Sequence, residues 1–323
     1  MPSVSVIIPV FNGARTLSTP LDCLFKQTLK DIEIIVVDDC SMDGSLAFAE
    51  DILRKENLPY SLLSQNCNKG VSAARNLGLT RAEGDCVLFL DADDYLEETC
   101  LEKLYSLFRS DGRVDAAFCG FGRVDPSGKI LKPYRPGKRY LEGAVPGKEA
   151  LALLWSEKID IHMTSFMIRR TFLMDEGLKF HEGCIYREDF EFFSRVLFAA
   201  KGVASYPEEL SKYVVYGDST TGKKEFMNRA AIHELAVFLR LEKMLNSSTG
   251  QKELAPLIKK FILHGYIEVL SRLLKSGKRE CFNRMVKSTT VRDRLKLARK
   301  KEIITSKPEY FLKLLRMYFL SCF

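Results

Sequence analysis

The sequence predicts an α/β fold in which helices flank a parallel sheet and a helical extension follows. Three observations predict it. The first hundred residues alternate short β-branched runs with longer amphipathic stretches, the pattern of βαβ units. Three of the four β-branched runs are near-continuous in apolar residues, as expected when helices cover both faces of a sheet. With 323 residues, 46% of them hydrophobic and 28% charged, the chain can bury a large core, which excludes a disordered chain or a small disulfide-held one.

Strands are predicted at Val4 to Pro9, Ile32 to Val37, Tyr60 to Leu63 and Cys86 to Leu90. Helical periodicity falls between them, around Arg15 to Gln27, Asp43 to Lys55 and Val71 to Arg81, the second opening on an N-cap signal, Ser41-Met42-Asp43-Gly44. From Leu96 the pattern becomes mixed. A helix is expected near Leu101 to Phe108, a strand near Ala116 to Val124, a Gly/Pro/basic flap from Asp125 to Gly147 and a short strand at Ser165 to Arg169. A helix starting near Asp189 shows Phe190, Phe193 and Leu197 at i, i+3 and i+7, and a strand at Lys212 to Tyr216 precedes a helical remainder. The expected division is a domain over 1–222, with halves 1–95 and 96–222, and a helical region over 223–323. Internal repeats and low-complexity segments are absent.

Three apolar strands end in polar chemistry: Pro9-Val10-Phe11-Asn12, Asp38-Asp39-Cys40-Ser41 and Asp91-Ala92-Asp93-Asp94. In a parallel sheet these C-terminal ends share one rim, where ligands bind. Five carboxylates are therefore expected near an aromatic ring, which is unfavourable unless a cation or hydrogen-bond donors neutralise them. The pair Asp91 and Asp93 suits Mg2+ or Mn2+ together with a diphosphate ligand. Each acid could instead cap the following helix, and for Asp38-Asp39 the two readings stand level. Asn68-Lys69-Gly70-Val71 opens a helix carrying Arg75, so backbone N–H groups and a guanidinium can meet a phosphate or a base edge there; a solvated basic turn is the alternative.

These segments together resemble the inverting glycosyltransferases of family 2, which have a GT-A (Rossmann-like) fold. The resemblance runs through Val4 to Asn12, Val37 to Ser45, Asn68 to Asn76 and Leu90 to Asp94, four motifs in the family's order. It implies a nucleotide-sugar donor, with Pro9 and Phe11 packing on the base and Asp39 reading it, usually as uracil. Lys69 and Arg75 would assist nucleotide binding. Asp91, Ala92 and Asp93 would form the D-x-D segment, Asp93 as direct metal ligand and Asp91 nearer the ribose. Further on, Tyr186-Arg187-Glu188-Asp189 resembles the acidic pair whose Asp is the catalytic base; a plain N-cap is the rival reading for Asp189. Two departures are visible: Phe11 stands where the family often has Tyr, and Lys212 to Thr221 lacks an Arg often found there.

Other chemistries are weaker. Gly217-Asp218-Ser219-Thr220-Thr221-Gly222-Lys223 fits G-x-x-x-x-G-K, but Lys224 replaces the Ser/Thr that would hold Mg2+. A phosphohydrolase with Asp91 as nucleophile and Asp93 as acid, or a sugar-nucleotide-binding or lipid-docking scaffold without turnover, would each use the same rim. The four histidines, His162, His181, His233 and His264, have no ligand spacing and are expected to be structural or on the surface.

The net charge of +7 is local. Residues 281–323 hold 11 Lys+Arg against 3 Asp+Glu, leaving 38 against 39 elsewhere, which argues against a nucleic-acid-binding face on the main domain. In this tail Arg292, Lys296 and Arg299 share a helical stripe, and Ser306-Lys307-Pro308-Glu309 reads as a capping box. Two readings stand: a basic amphipathic end lying on an anionic membrane surface, or a packed helical subdomain or homodimer contact. The first would suit the glycan or lipid-linked acceptor implied by resemblance to bacterial surface-polysaccharide enzymes. Nine cysteines without a C-x-x-C pair fit a reducing compartment. No apolar run reaches the length of a span or a signal peptide, so the expected location is cytoplasmic or peripheral on the inner face of the membrane.

Overall fold

The computed structural model describes residues 1–134, 137–217, 224–246 and, beyond these, 265–267, 269, 270, 272 and 273. The chain divides into two compact units, Met1–Gly217 and Asp218–Phe323. The first unit opens as expected from the alternation: β1 (Val4–Val10), α1 (Ser18–Phe25), β2 (Ile32–Asp38), α2 (Ser45–Leu53), β3 (Tyr60–Ser64), α3 (Val71–Arg81) and β4 (Cys86–Phe89). Parallel pairing of β1 with β2 and β4, and of β2 with β3, brings the ends of these strands to one rim. Every residue of β1, β2 and β4 is buried, which is why their runs are apolar without alternation apart from Ser5 and Glu33, which are hydrogen-bonded to each other at 2.6 Å, and the rim residue Asp38. Helix α3 lies close on this sheet because Gly78 faces it: a Cβ there would stand 2.4 Å from Ile7 Cγ2.

The second half of the unit continues the same sheet. It adds β5 (Tyr95–Leu96), α4 (Cys100–Ser110), β6 (Val114–Val124), β7 (Ile130–Lys132), α5 (Gly147–Trp155), a 3-10 turn (Met163–Ser165), β8 (Phe166–Arg169), α6 (Arg170–Asp175), α7 (Glu188–Ala199) and β9 (Gly202–Val214). Among the described residues the sheet has nine strands in the order β3-β2-β1-β4-β8-β6-β9-β5, with β7 paired to β6. Strand β8 is antiparallel to both neighbours, while β6 and β9 run parallel. Three expectations need correction. The flap contains β7 and ends in α5, whose first residue, Gly147, packs against the carbonyls of Leu197 and Ala200. Strand β9 begins ten residues before the predicted Lys212, because its middle, Pro207-Glu208-Glu209, is polar and interrupted by register shifts against β6. Helix α2 is preceded by Gly44 at φ 81°, while Asp43 accepts bonds from the Ser45 N–H (3.1 Å) and from Ala14 N–H (3.0 Å) rather than capping in the usual way.

In the second unit α8 (Lys224–Asn246) packs Phe238 toward Tyr266 (6.4 Å between rings) and pairs buried Glu234 with Arg272 at 2.7 Å. Residues 218–223 of the G-x-x-x-x-G-K match, His264, Cys281, Cys322 and the basic tail 281–323 lie outside the described residues. No helix among the described residues is long and apolar enough to cross a membrane.

Candidate active site

The rim is built from interlocked loops. After β1, Asn12 turns into the left-handed region (φ 52°), and its N–H donates to Ser41 Oγ at 2.8 Å while its Oδ1 accepts from the Met42 N–H at 2.9 Å. Gly13 N–H donates to Ser45 Oγ at 2.9 Å. The loops after β1 and β2 therefore move as one body, presenting the half-exposed ring of Phe11 at its edge.

Asp38 and Asp39, equivalent in sequence, have different tasks. Asp38 accepts the Ser41 N–H and caps its own turn. Asp39 is buried and accepts from Gln65 Nε2, Lys69 N–H and Gly70 N–H, all at 2.8 Å. Of the backbone N–H groups expected to meet a phosphate or a base edge, those of Lys69 and Gly70 donate to Asp39, which shapes the turn leading into α3 at Gly70 (φ 88°). The Lys69 side chain remains exposed.

Arg75 is not part of a solvated basic turn. It is buried on α3, with Nη2 2.7 Å from Asp91 Oδ1, Nη1 3.5 Å from Glu188 Oε1, and its guanidinium 5.2 Å from the centre of the Phe180 ring. Burial opposes its charge, but Asp91 and then Glu188 outweigh burial, so its pKa is raised. One cation thus joins the acids after β4 to the acidic pair opening α7.

After β4, Asp91 and Asp93 are partly exposed and Asp94 is fully buried. Burial, then the Asp91 charge, pushes Asp93 up to about 6. Asp94 accepts from Thr164 Oγ1 at 2.9 Å and from the Val214 N–H at 3.0 Å, tying the strand end to the 3-10 turn and to β9. Its pKa is raised well above the ordinary aspartate value by burial, then by the charges of Asp91 and Asp93. His162, expected to be structural, stands here. Its Nδ1 is buried without a hydrogen-bond partner, 3.7 Å from Asp94 Oδ2, and its ring lies 5.1 Å from Phe121 and 5.0 Å from Tyr213. Ligand atoms of Asp91, Asp94 and His162 all lie within 4.8 Å of one another, a group that excludes Asp93 among the described residues. The sequence offers Asp94 only as one of the five rim carboxylates and His162 not at all as a ligand. Arg123 is a further addition, its guanidinium 5.6 Å from the centre of the Tyr213 ring near the segment that lacks the expected Arg.

Asp189 lies in the first turn of α7, after Arg187 at φ 58°, and accepts its neighbour's Phe190 N–H at 2.6 Å. The helix N-terminus favours a carboxylate there. Glu188, beside it, is pushed up to about 7 by burial and by Asp189, with Arg75 pulling the other way. Because its folded value lies above the ordinary 4.5, its contribution to stability is present below about 4.5 and lost as pH rises through about 7. Glu188→Gln, a neutral stand-in, is therefore expected to raise Tm relative to the parent at pH 8 and to bring no gain at pH 5, measured by thermal melts in metal-free buffer. An equal shift at both pH values would contradict it.

Comparison with known proteins agrees with this geometry. The sequence model of the family described as Glycosyl transferase family 2 matches residues 5–177, more than half of the chain. The chain is 29% identical over 301 residues to "Putative glycosyltransferase EpsH" of Bacillus subtilis (strain 168), covering 88% of this chain and 81% of that one. In fold it is similar to residues 1–349 of TarS from S. aureus in complex with UDP-GlcNAc, with a TM-score of 0.59 at 21% identity over 84% of this chain and 81% of that one. It is also similar to the mannosyltransferase PcManGT from Pyrobaculum calidifontis in complex with GDP-Man and Mn2+, with a TM-score of 0.60 at 18% identity over 100% of this chain and 87% of the other. The parallel strands, the acids at their rim and the family match over those same strands agree: the fold is GT-A, and the chain belongs to glycosyl transferase family 2.

Proposed function

We propose that this enzyme moves a sugar from a UDP-sugar to a hydroxyl of a glycan or lipid-linked glycan acceptor, with inversion at the anomeric carbon. The observation that carries the reading is the Arg75 bridge between Asp91 and Glu188, which supports reading Asp91 as the donor-side carboxylate and the start of α7 as the bearer of the base. A single in-line displacement needs both ends of its path on one site. Phe11 offers a half-exposed ring to stack on the base beside Pro9, and Asp39 fixes the Lys69-Gly70 turn that borders it. Asp189 accepts the proton of the attacking hydroxyl. Arg75 holds Asp91 by an ion pair, which disfavours Asp91 as the nucleophile of a phosphohydrolase.

The residues fit a divalent cation. The buried, unpartnered Nδ1 of His162 faces a carboxylate, and burial, then the Asp91 charge, raises the pKa values of Asp93 and Asp94. Asp91, Asp94 and His162 would hold Mn2+ or Mg2+, with Asp93 and Ala92 bordering the ribose and diphosphate. When bound, the cation stabilises the charge of the departing nucleoside diphosphate. Residues 1–222 would form the catalytic domain and 223–323 a helical extension. A lipid-linked acceptor gives the basic tail 281–323 a role on the inner face of the membrane.

The test is a panel of UDP-sugars and GDP-mannose, assayed for nucleotide release with Mn2+, Mg2+ or EDTA, and product configuration read by NMR. A β-linked product from an α-linked UDP-sugar, abolished by EDTA, is expected. Retention of configuration would overturn the mechanism, and exclusive use of GDP-mannose would overturn the donor.

A further inference from the structure

Helix α3 carries a second contact that the proposed chemistry does not use. Asn76 follows Arg75 and is buried. Its Nδ2 donates to the Phe180 carbonyl and to Glu182 Oε1, both at 3.0 Å, and its Oδ1 accepts the Phe180 N–H at 2.8 Å. Three hydrogen bonds from one amide thus grip a loop, residues 176–187, that has no helix or strand of its own and turns through the left-handed region at Gly177, Gly183 and Arg187. The gripped residue is itself wedged: the Phe180 ring stacks on Phe192 of α7 at 3.9 Å, meets Phe89 of β4 edge-on at 5.1 Å, and receives the Arg75 guanidinium at 5.2 Å. That loop delivers the chain into α7, whose second residue is Asp189.

From this geometry we propose that Asn76 is a positioning residue for Asp189, acting through Phe180, so that one helix registers both ends of the reaction path. The N-terminal end of α3 is set by Asp39 through Lys69 and Gly70, on the nucleotide side. Its middle sets the base loop through Asn76 and fixes Asp91 through Arg75. Removing the amide breaks the three hydrogen bonds to the loop, leaving Phe180 held by its ring contacts alone, and breaks no bond of the Asp39 turn or of the Arg75–Asp91 pair. The cost should therefore fall on the chemical step and not on donor binding. The assignment rests on Asp189 as base in a UDP-sugar transferase.

The experiment uses the full chain with Mn2+ and the UDP-sugar found active in the panel, water serving as acceptor and UDP release as the readout, beside calorimetric Kd for UDP and a thermal melt. Asn76→Ala is expected to lower kcat about 10-fold or more, since displacements of about 1 Å remote from the chemistry cost up to about 10²-fold, with the UDP Kd within about threefold of the parent. Asn76→Asp keeps the acceptor for Phe180 N–H but sets a second negative charge against Glu182. Its loss should be recovered at least in part by adding Glu182→Gln, whose amide restores a donor. A lowered Tm with kcat unchanged would make Asn76 a packing residue only and overturn the proposal, as would equal losses in kcat and UDP affinity. If Asn76→Ala does not fold, the Asp variant and its rescue decide alone. Absence of UDP binding or turnover in the parent would instead sink the underlying reading of the enzyme.

Discussion

Asp189→Asn is expected to lower kcat by about 10² to 10⁴-fold, the usual span for removal of a general base, with UDP affinity unchanged. The asparagine keeps the volume at the head of α7 and can still accept the Phe190 N–H through its carbonyl oxygen, so the helix start survives. What it lacks is a group able to take the acceptor's proton. The adjacent acid provides the contrast. Glu188 has a value near 7, attractive for a base at neutral pH, but it faces the Arg75 guanidinium at 3.5 Å and its side chain is 15% exposed. Glu188→Gln should therefore cost less than Asp189→Asn and should act partly through Arg75. The reverse order in single-turnover rates would transfer the role of base to Glu188.

How far the sequence leads depends on whether a residue acts locally. Strands β1, β2 and β4 are bounded within one or two residues of where the apolar runs stop, because a fully buried strand is apolar along most of its length and the polar rim follows at once. The acids at 38, 39, 91 and 93 are legible for the same reason. Division of labour between Asp38 and Asp39 is not, since it depends on which carboxylate meets the N–H groups of Lys69 and Gly70. His162 and Asp94 come together only through the reversal of β8 between β4 and β6, a pairing that no local spacing encodes. Their one sign in the sequence is compositional: a third acid, Asp94, directly after Asp91-Ala92-Asp93, and a histidine four residues before β8. Strand β9 hides for another reason, its bulged centre being polar and exposed.

The proposed cation site gives the other large effect. His162→Ala is expected to weaken Mn2+ binding by about 10-fold or more, because even changes behind the direct ligands cost about 10 to 100-fold, with the readout taken from free-Mn2+ EPR signal during titration of the protein. An imidazole among carboxylates also shifts preference: nitrogen donors suit Mn2+ better than Mg2+, which favours oxygen alone. The parent should accordingly bind Mn2+ more tightly than Mg2+, and the substitution should narrow that gap. Asp93→Asn separates the two readings of the acidic segment. If Asp91, Asp94 and His162 form the site, loss of the Asp93 charge weakens Mn2+ less than loss of His162 does. A larger loss from Asp93→Asn, with His162→Ala near the parent, would return the metal to Asp93 and leave His162 as an aromatic spacer between Phe121 and Tyr213. Asp94 is the less informative position to change, since its carboxylate also holds Thr164 and the Val214 N–H, and its removal would loosen the rim whatever the metal does.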